Sequence, residues 1–208
     1  EIDFTMSDVM DTADKLMTFK VAVRTVAKRH GLHATFMPKP KAEENGSGMH
    51  INMALYKDGK NIFEDPQDSL GLSKEAYSFI AGLLEHIKGM TAIFNPLVNS
   101  YKRLVPGFEA PSDMTWSSTQ RTALIKVCRG TREEKAIELR SPDASANPYL
   151  VFALCLEAGI DGIERGLEAP AELKKSIRDL SEEEKNNQGI KALPENLSDA
   201  LYEMEKDV

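Results

Sequence analysis

Residues 99–111 contain two cations followed a few positions later by a single carboxylate. Lys102 and Arg103 precede Glu109, and the pair Pro106-Gly107 lies between them. Adjacent proline and glycine are typical of a turn, because proline presets φ and glycine accepts a positive φ. A turn of this composition can hold an anionic substrate and bring a general acid or base beside it. We call this segment the 99–111 loop.

A glycine-rich run ends in an imidazole at Asn45-Gly-Ser-Gly-Met-His50. Its glycines let the backbone approach a ligand closely, and a neutral imidazole can bind a metal. Taken alone, such a run is more often an ordinary turn with a surface histidine. The alternatives are therefore a metal site beginning at His50 and a plain turn.

A carboxylate and a guanidinium stand two positions apart at Glu138 and Arg140. On a strand these two side chains share one face, and the alternating residues Ile137 and Leu139 face the core. The pair is either a simple ion pair or a metal-binding carboxylate beside an anion clamp.

Further cations lie near these motifs in the sequence. Arg103 and Arg121 are candidate anion clamps, because the planar guanidinium can bind two oxygens of a carboxylate or phosphate. Lys126 and Arg132 add positive charge close by. The alternative is a set of scattered, solvated cations.

The composition indicates an ordinary globular protein of 208 residues, with 41% hydrophobic and 28% charged residues. No apolar run reaches the roughly 18 residues that a membrane-spanning helix needs, so we expect no membrane partner. The net charge of −7 argues against a nucleic-acid partner, which would favour a basic face. The cysteines Cys128 and Cys155 fit no metal spacing and indicate buried thiols in the cytoplasm.

Three long helices are predicted from apolar spacing and capping residues. The first covers about residues 7–30 with Ser7 or Asp8 as its cap, and the second covers about 74–94 after Ser73. The third runs to Arg165 from Asn147-Pro148, because Asn is a good N-cap and Pro suits the first helical position.

We predict four strands, near residues 33–37, 49–56, 120–127 and 135–141. Lys57-Asp-Gly59 is a hairpin turn signal. The fold class is therefore α+β, with an antiparallel sheet and the long helices packed on its outer face. We predict a core at 1–170 and a peripheral, charged, helical tail at 171–208, here called the C-terminal segment.

Taken together, the motifs resemble the catalytic domain of type I glutamine synthetase. The resemblance runs from about Glu1 to Pro170, and more loosely beyond. It rests on several separate motifs in the same order: His33 to Pro40, Asn45 to His50, Asn99 to Pro111, Ile137 to Arg140 and Ala146 to Tyr149. It implies an ATP-dependent ligation of ammonia to L-glutamate through a γ-glutamyl phosphate. It also implies Mg²⁺ or Mn²⁺ as cofactor and a dodecameric homo-oligomer for the intact protein.

The resemblance also implies roles for individual residues. His50 and Glu138 would bind the metal beside the ATP phosphates, and Glu1 would bind a second metal. Glu109 would deprotonate ammonium and shield the intermediate, and Arg121 would contact phosphate or the substrate γ-carboxylate. The glutamate-binding residues would be Asn45, Gly46, Arg103 and Arg140. The nucleotide-binding residues would be Asn52, Ala54, Arg121 and Lys126.

Four positions depart from the family pattern and bear on nucleotide affinity. Lys126 and Ala136 stand where arginine is usual. Lysine at 126 replaces a two-pronged phosphate contact with a point charge, and alanine at 136 removes a cation. Asn52 and Ala54 stand where some members have His and Ser. Compensating cations are expected from Arg132 or Lys135.

The resemblance further implies that the family's N-terminal β-domain and additional metal-binding glutamates are absent from this chain. We therefore expect the isolated chain to be catalytically inactive. Two alternatives remain at this point: a glutamate–amine ligase of the same superfamily that accepts a polyamine, and a non-catalytic structural relative. The intact 99–111 loop favours ammonia. The retained carboxylates and His50 favour catalysis.

Overall fold

The computed structural model describes residues 1–129 and 134–207. The helices are α1 Val9–Arg29, α2 Lys74–Phe94, α3 Pro148–Glu164, α4 Glu182–Asn187 and α5 Leu197–Met204, with 3-10 turns at Val98–Lys102 and Ile177–Asp179. The strands are β1 Ile51–Met53, β2 Tyr56–Lys57, β3 Lys60–Asn61, β4 Trp116–Ser117, β5 Ile125–Arg129 and β6 Lys135–Leu139. Among the described helices, none is long and apolar enough to cross a bilayer.

The three long helices begin at the predicted caps. The side chain of Asp8 accepts a hydrogen bond from the Met10 amide at 2.9 Å, which starts α1. Ser73 and Asn147 cap α2 and α3 in the same way, and Pro148 occupies the first position of α3. Each cap satisfies an amide that would otherwise lack a partner in the first turn.

Helices α2 and α3 touch at their backbones through glycines. A Cβ added to Gly82 would lie 2.1 Å from the Ala158 carbonyl oxygen, and one added to Gly162 would lie 2.2 Å from the Ser78 carbonyl oxygen. Gly159 faces the Phe79 ring, where an added Cβ would be 2.0 Å from a ring carbon. Any side chain at these positions would push the two helices apart.

The main sheet has the strand order β1-β6-β5-β4. β6 pairs antiparallel with β1 and with β5, and β4 pairs parallel with β5. On one face Leu139 lies between Ile51 and Ile125 and joins a large core with Phe79 and Leu83 of α2. The α+β fold with helices packed on the sheet is thus confirmed, with one parallel strand pair added.

Three strand predictions need correction. Residues 33–37 form no strand, because Phe36 packs edge-on against Phe19 of α1 and lies under the Arg24 guanidinium. Residues 49–56 do not form one strand, since β1 joins the main sheet and β2 pairs with β3 around Asp58-Gly59, both at positive φ. The strand predicted at 120–127 begins only at Ile125, after a turn.

The C-terminal segment packs onto the rest of the chain at several points. Leu173, Ile177 and Leu180 form a small buried cluster, and Leu193 joins the main core. Ala200 of α5 is buried against the 99–111 loop. The division into units at 1–170 and 171–208 stays a prediction.

Candidate active site

A polar row crosses the face of the sheet opposite the core. Antiparallel pairing places Asn52 of β1 and Lys126 of β5 directly beside Glu138 of β6. The strand register produces this row, because each of the three residues is one position away from a core-facing neighbour. The prediction that Glu138 faces away from the core side of Ile137 and Leu139 is confirmed.

Glu138 is the centre of the row. His50 Nδ1 lies 3.0 Å from its Oε1 atom, and Lys126 Nζ lies 3.2 Å from its Oε2 atom. Burial alone raises the pKa of Glu138, but the hydrogen bond and charge of His50 and the charge of Lys126 outweigh it and lower the pKa to about 2. The carboxylate is therefore ionised at any physiological pH.

Arg140 follows β6 and lies beside Glu138. Its Nε atom is 3.5 Å from Glu138 Oε1, yet this buried nitrogen makes no hydrogen bond within the described residues. Its Nη1 atom donates to the Arg121 carbonyl oxygen. A buried guanidinium nitrogen that makes no hydrogen bond is costly, so an anion placed here would gain a charge-assisted hydrogen bond.

Arg103 links the 99–111 loop to the end of β6. The residue is buried, and its Nη1 and Nη2 atoms donate to the carbonyl oxygens of Ser141 at 2.7 Å and Arg140 at 3.0 Å. Burial lowers the pKa of the Arg103 guanidinium, while the charge of Asp143 opposes that shift and Arg140 adds to it. These two nitrogens brace the backbone that carries Arg140.

The glycines of the predicted 45–50 motif make room for Arg103. A Cβ at Gly46 would lie 2.4 Å from the Pro38 carbonyl oxygen and 3.0 Å from Arg103 Cγ. A Cβ at Gly48 would lie 2.6 Å from Arg103 Nη2 and 3.2 Å from His50 Nε2. The glycines thus serve a close approach between loop, guanidinium and imidazole.

Glu109 and Asn45 meet across two loops. The Glu109 amide donates to Asn45 Oδ1 at 3.4 Å, and both residues are exposed. The Glu109 side chain makes no hydrogen bond or ion pair with the described residues, so it is available to a substrate. The structure therefore brings together the predicted loop carboxylate and one predicted glutamate contact.

The predicted nucleotide residues lie on the main sheet or in the segments beside it. Asn52 Oδ1 accepts a contact from Cys128 Sγ at 3.2 Å, and Ala54 packs against the core just after β1. Arg121 is exposed in the turn before β5. Of the two cations expected to compensate, Arg132 lies outside the described residues. Lys135 Nζ donates to the Leu70 carbonyl oxygen at 2.5 Å.

The donor set fits a divalent metal held by few protein ligands. His50 Nδ1 and Glu138 Oε1 lie 3.0 Å apart and would present an imidazole nitrogen and an ionised carboxylate oxygen to the same ion. Within residues 1–129 and 134–207, no three His, Cys, Asp or Glu side chains form a metal cluster. Mg²⁺ usually keeps several waters and substrate phosphates, so two protein ligands suffice for partial coordination. Glu1 is exposed and does not join this pair.

Several residues that shape the site were not predicted. Asp143 is fully buried and accepts from Asn95 Nδ2 at 3.0 Å. Lys39 is buried, and its amide and carbonyl group both pair with the Asn99 side chain. The sequence signal for Lys39 was its place between two prolines, since such a rigid, extended segment fixes the direction of the side chain.

Comparison with known proteins identifies relatives across the whole chain. The family model described as "Glutamine synthetase, catalytic domain" matches residues 1–208. The chain is 56% identical to a glutamine synthetase of Clostridium saccharobutylicum over 207 residues, which is 100% of this chain and 47% of that protein. It is 49% identical to a glutamine synthetase of Thermus thermophilus, covering 100% of this chain and 46% of that protein.

Solved structures show the same fold. A GmaS/ADP complex in conformation 1 superposes with a TM-score of 0.85 at 41% identity, covering 97% of this chain and 46% of that chain. Apo GmaS without ligand gives a TM-score of 0.82 at 40% identity, covering 97% of this chain and 45% of that one. The chain thus spans about half the length of the curated relatives and of the solved structures that it matches.

Proposed function

The chain belongs to the glutamine synthetase catalytic-domain family, a family of ligases, and from this premise we propose that the protein containing it joins ammonia to L-glutamate. The reaction consumes ATP and passes through γ-glutamyl phosphate. The observation that carries the proposal is Glu138 between His50 and Lys126, with the buried Nε of Arg140, which makes no hydrogen bond within the described residues, beside it. An ionised carboxylate, an imidazole and two cations suit a divalent metal next to a phosphoryl group.

In the first step a γ-carboxylate oxygen of glutamate attacks the γ-phosphorus of ATP. The new oxygen–phosphorus bond forms as the bond to ADP breaks. Lys126, Arg121 and Arg140 supply the positive charge that balances the transferred phosphoryl group. His50 and Glu138 would hold Mg²⁺ or Mn²⁺, with Glu1 assigned to a second ion. When bound, these ions screen phosphate charge and polarise phosphoryl oxygens.

In the second step Glu109 accepts a proton from ammonium. The resulting ammonia attacks the γ-carbonyl carbon, the bond from that carbon to the phosphate oxygen breaks, and phosphate leaves with the electron pair. The nitrogen then loses a further proton to give the amide. Glu109 suits this role because its exposed carboxylate has no partner among the described residues.

Glutamate would lie between the two loops and the end of β6. Asn45, Gly46, Arg103 and Arg140 are the proposed contacts. The hydrogen bonds from Arg103 to the carbonyl oxygens of Ser141 and Arg140 support this location, because they fix the backbone that carries Arg140. ATP would lie along the sheet face beside Asn52 and Ala54. Lys126 would contact its phosphates with a single ammonium group, where arginine would offer a planar guanidinium.

The intact protein is proposed to be a cytoplasmic dodecamer that binds neither nucleic acid nor membrane. The isolated chain is proposed to be inactive. Its span of about half the relatives' length supports this.

The test is an acceptor comparison on the full-length protein with ATP, L-glutamate and Mg²⁺. We expect glutamine from ammonium, with slower or no product from methylamine and spermidine. Hydroxylamine in place of ammonium should give γ-glutamyl hydroxamate, which reports the activated carboxyl group. The isolated chain should show no ATP- and glutamate-dependent phosphate release.

Two outcomes would replace the proposal. A preference for spermidine over ammonium would favour a glutamate–amine ligase of the same superfamily. Absence of both metal binding and phosphate release in the full-length protein would favour a non-catalytic relative. Robust turnover by the isolated chain would contradict its proposed inactivity.

A further inference from the structure

The C-terminal segment supports the 99–111 loop from one side. At the base of the loop, Tyr101 and Leu104 are buried in a cluster with Ala200 and Leu197 of α5. Directly after the loop, the Met114 amide donates to the Lys191 carbonyl oxygen at 2.8 Å, and the Leu193 amide donates to the Ser112 carbonyl oxygen at 2.9 Å. Both ends of the loop are thus anchored to residues after position 190.

A small cavity separates the middle of the loop from the C-terminal segment. It is lined by residues of both, among them Pro106, Gly107, Ala110, Ile177 and Lys185. One side chain crosses this gap, because Arg178 Nη2 donates to the Phe108 carbonyl oxygen at 2.7 Å. Arg178 therefore holds the middle of the loop at Phe108, the residue immediately before Glu109.

Phe108 is also held from the opposite side. Lys39 Nζ lies 3.3 Å from the centre of the Phe108 ring, a cation–π contact. Lys39 itself is fixed, because its backbone pairs with Asn99 and its Nζ donates to the Glu44 carbonyl oxygen at 2.5 Å. Two different cations thus contact Phe108: Lys39 contacts its ring, and Arg178 contacts its carbonyl group.

We propose that Arg178 is a positioning residue for Glu109 and acts through Phe108. This inference rests on the proposed function, in which Glu109 deprotonates ammonium and covers the γ-glutamyl phosphate. With the Phe108 carbonyl fixed by Arg178 and the Glu109 amide bonded to Asn45, the peptide unit between them keeps one orientation. That orientation fixes the position from which the Glu109 side chain leaves the backbone.

The Arg178 contact is exposed, so it contributes little to the free energy of unfolding. Its effect is on geometry, and misplacement of a reacting group by about 1 Å can cost about 100-fold in rate. If the middle of the 99–111 loop is more mobile, water can also reach the acyl phosphate. Water would attack the same carbonyl carbon as ammonia and return glutamate and phosphate, so ATP would be consumed without glutamine.

The test uses the full-length protein and measures kcat, the KM for ATP and the phosphate released per glutamine formed. Arg178→Ala is expected to lower kcat about tenfold and to raise phosphate per glutamine about twofold, with little change in the KM for ATP or in Tm. Arg178→Lys should restore part of the coupling, since one donor remains. Lys174→Ala is the matched control, because its exposed side chain makes no hydrogen bond or ion pair among the described residues.

Two failures are distinguishable. If the unchanged protein forms no glutamine, the proposed function fails. If it does form glutamine, but Arg178→Ala keeps both kcat and the phosphate-to-glutamine ratio, the positioning role of Arg178 is overturned. A third result would also overturn the positioning role: a lower Tm and an equal fall in kcat in both Arg178→Ala and Arg178→Lys, with an unchanged phosphate-to-glutamine ratio. That result would mean that Arg178 makes a structural contact only.

Discussion

The candidate site has a strand-borne half and a loop-borne half that are built differently. In the strand-borne half, Glu138 contacts both His50 and Lys126 directly, and the sheet register places Lys126 beside Glu138. In the loop-borne half, Glu109 and Asn45 are exposed and meet through one hydrogen bond, from the Glu109 amide to the Asn45 side chain. The strand-borne half can hold charge in a preset array, while the loop-borne half depends on support from elsewhere in the chain.

The largest expected effect concerns the centre of the strand-borne half. Glu138→Gln removes the negative charge between His50, Lys126 and Arg140, so the cations repel and a metal ligand is weakened. We expect full-length protein to lose affinity for Mn²⁺ by at least about 100-fold and activity by about 1000-fold. Titration calorimetry and a glutamine assay would measure both.

Glu157→Gln is the matched control for that change, because Glu157 is an exposed carboxylate on α3. It should leave metal affinity and activity as they are. Retention of Mn²⁺ binding in Glu138→Gln would mean that the strand-borne half is not the metal site.

The next effect separates the two halves. Glu109→Gln removes the proposed base and leaves the Glu138 row untouched, so kcat should fall about 100-fold while Mn²⁺ affinity stays constant. A parallel fall in metal affinity would show that the halves are not independent.

Gly46→Ala tests the close packing that joins the halves. The new methyl group would collide with the Pro38 carbonyl oxygen and Arg103, at 2.4 and 3.0 Å. We expect a loss of about 1–3 kcal/mol in the free energy of unfolding and a roughly tenfold higher KM for glutamate. Urea denaturation and steady-state kinetics of the full-length protein would show it.

Gly189→Ala is the comparison for Gly46→Ala. Gly189 has a φ of 67° and open space around it, so its cost is backbone strain of about 1 kcal/mol with no kinetic effect. If Gly46→Ala costs no more and leaves the KM unchanged, close packing around Arg103 is not required.

Lys126→Arg places a guanidinium in the strand-borne half, at a position where arginine is usual in the family. We expect a KM for ATP lowered about threefold, because a guanidinium can contact two phosphate oxygens and still reach Glu138. Lys174→Arg, on an exposed side chain, should have no such effect. An unchanged KM for ATP would place Lys126 away from the phosphates.

The smallest effect lies outside both halves, at His86. Its ring bonds Asp207 at 2.6 Å and Asp161 at 3.0 Å, joining α2 to α3 and to the chain end. Burial lowers the pKa of His86, but these two carboxylates outweigh it and the net pKa is raised. The stabilisation is therefore complete below about pH 6.5 and is lost as the pH rises through the higher folded-state pKa.

Thermal denaturation of the full-length protein at several pH values would measure this effect. His86→Gln should flatten the dependence of Tm on pH above about 6.5 while the phosphate-to-glutamine ratio stays constant. A pH dependence of Tm that persists in His86→Gln would assign it to other groups.

The parts predicted from sequence were those fixed by local chemistry. Asp8, Ser73 and Asn147 cap their helices as expected, because a cap needs only its own side chain and the next amides. The shared face of Glu138 and Arg140 also followed from the period of a strand. The sheet partner of Glu138, and hence the placement of Lys126 beside it, followed only from tertiary pairing.

The parts that sequence could not give depend on distant contacts. The segment 33–37 has strand-like residues, but Phe36 finds its partner on α1 instead of a neighbouring strand. Arg103 and Asp143 interact through a fold-dependent burial that no spacing encodes. Arg178 lies 70 positions from Phe108, in a segment whose composition indicated only a peripheral, charged, helical tail.

The glycine contact between α2 and α3 has a consequence for mutational tolerance. Gly82, Gly159 and Gly162 lie between α2 and α3, away from the polar row of the site, yet none of them has room for even a methyl group. In a deep mutational scan selecting for growth, these three positions would be depleted as strongly as Glu138. Intolerance at a position is therefore an ambiguous guide in this protein, since it can record helix-to-helix clearance as well as chemistry. Rescue by a compensating smaller residue on the facing helix, such as Phe79→Ala with Gly159→Ala, would tell the two causes apart.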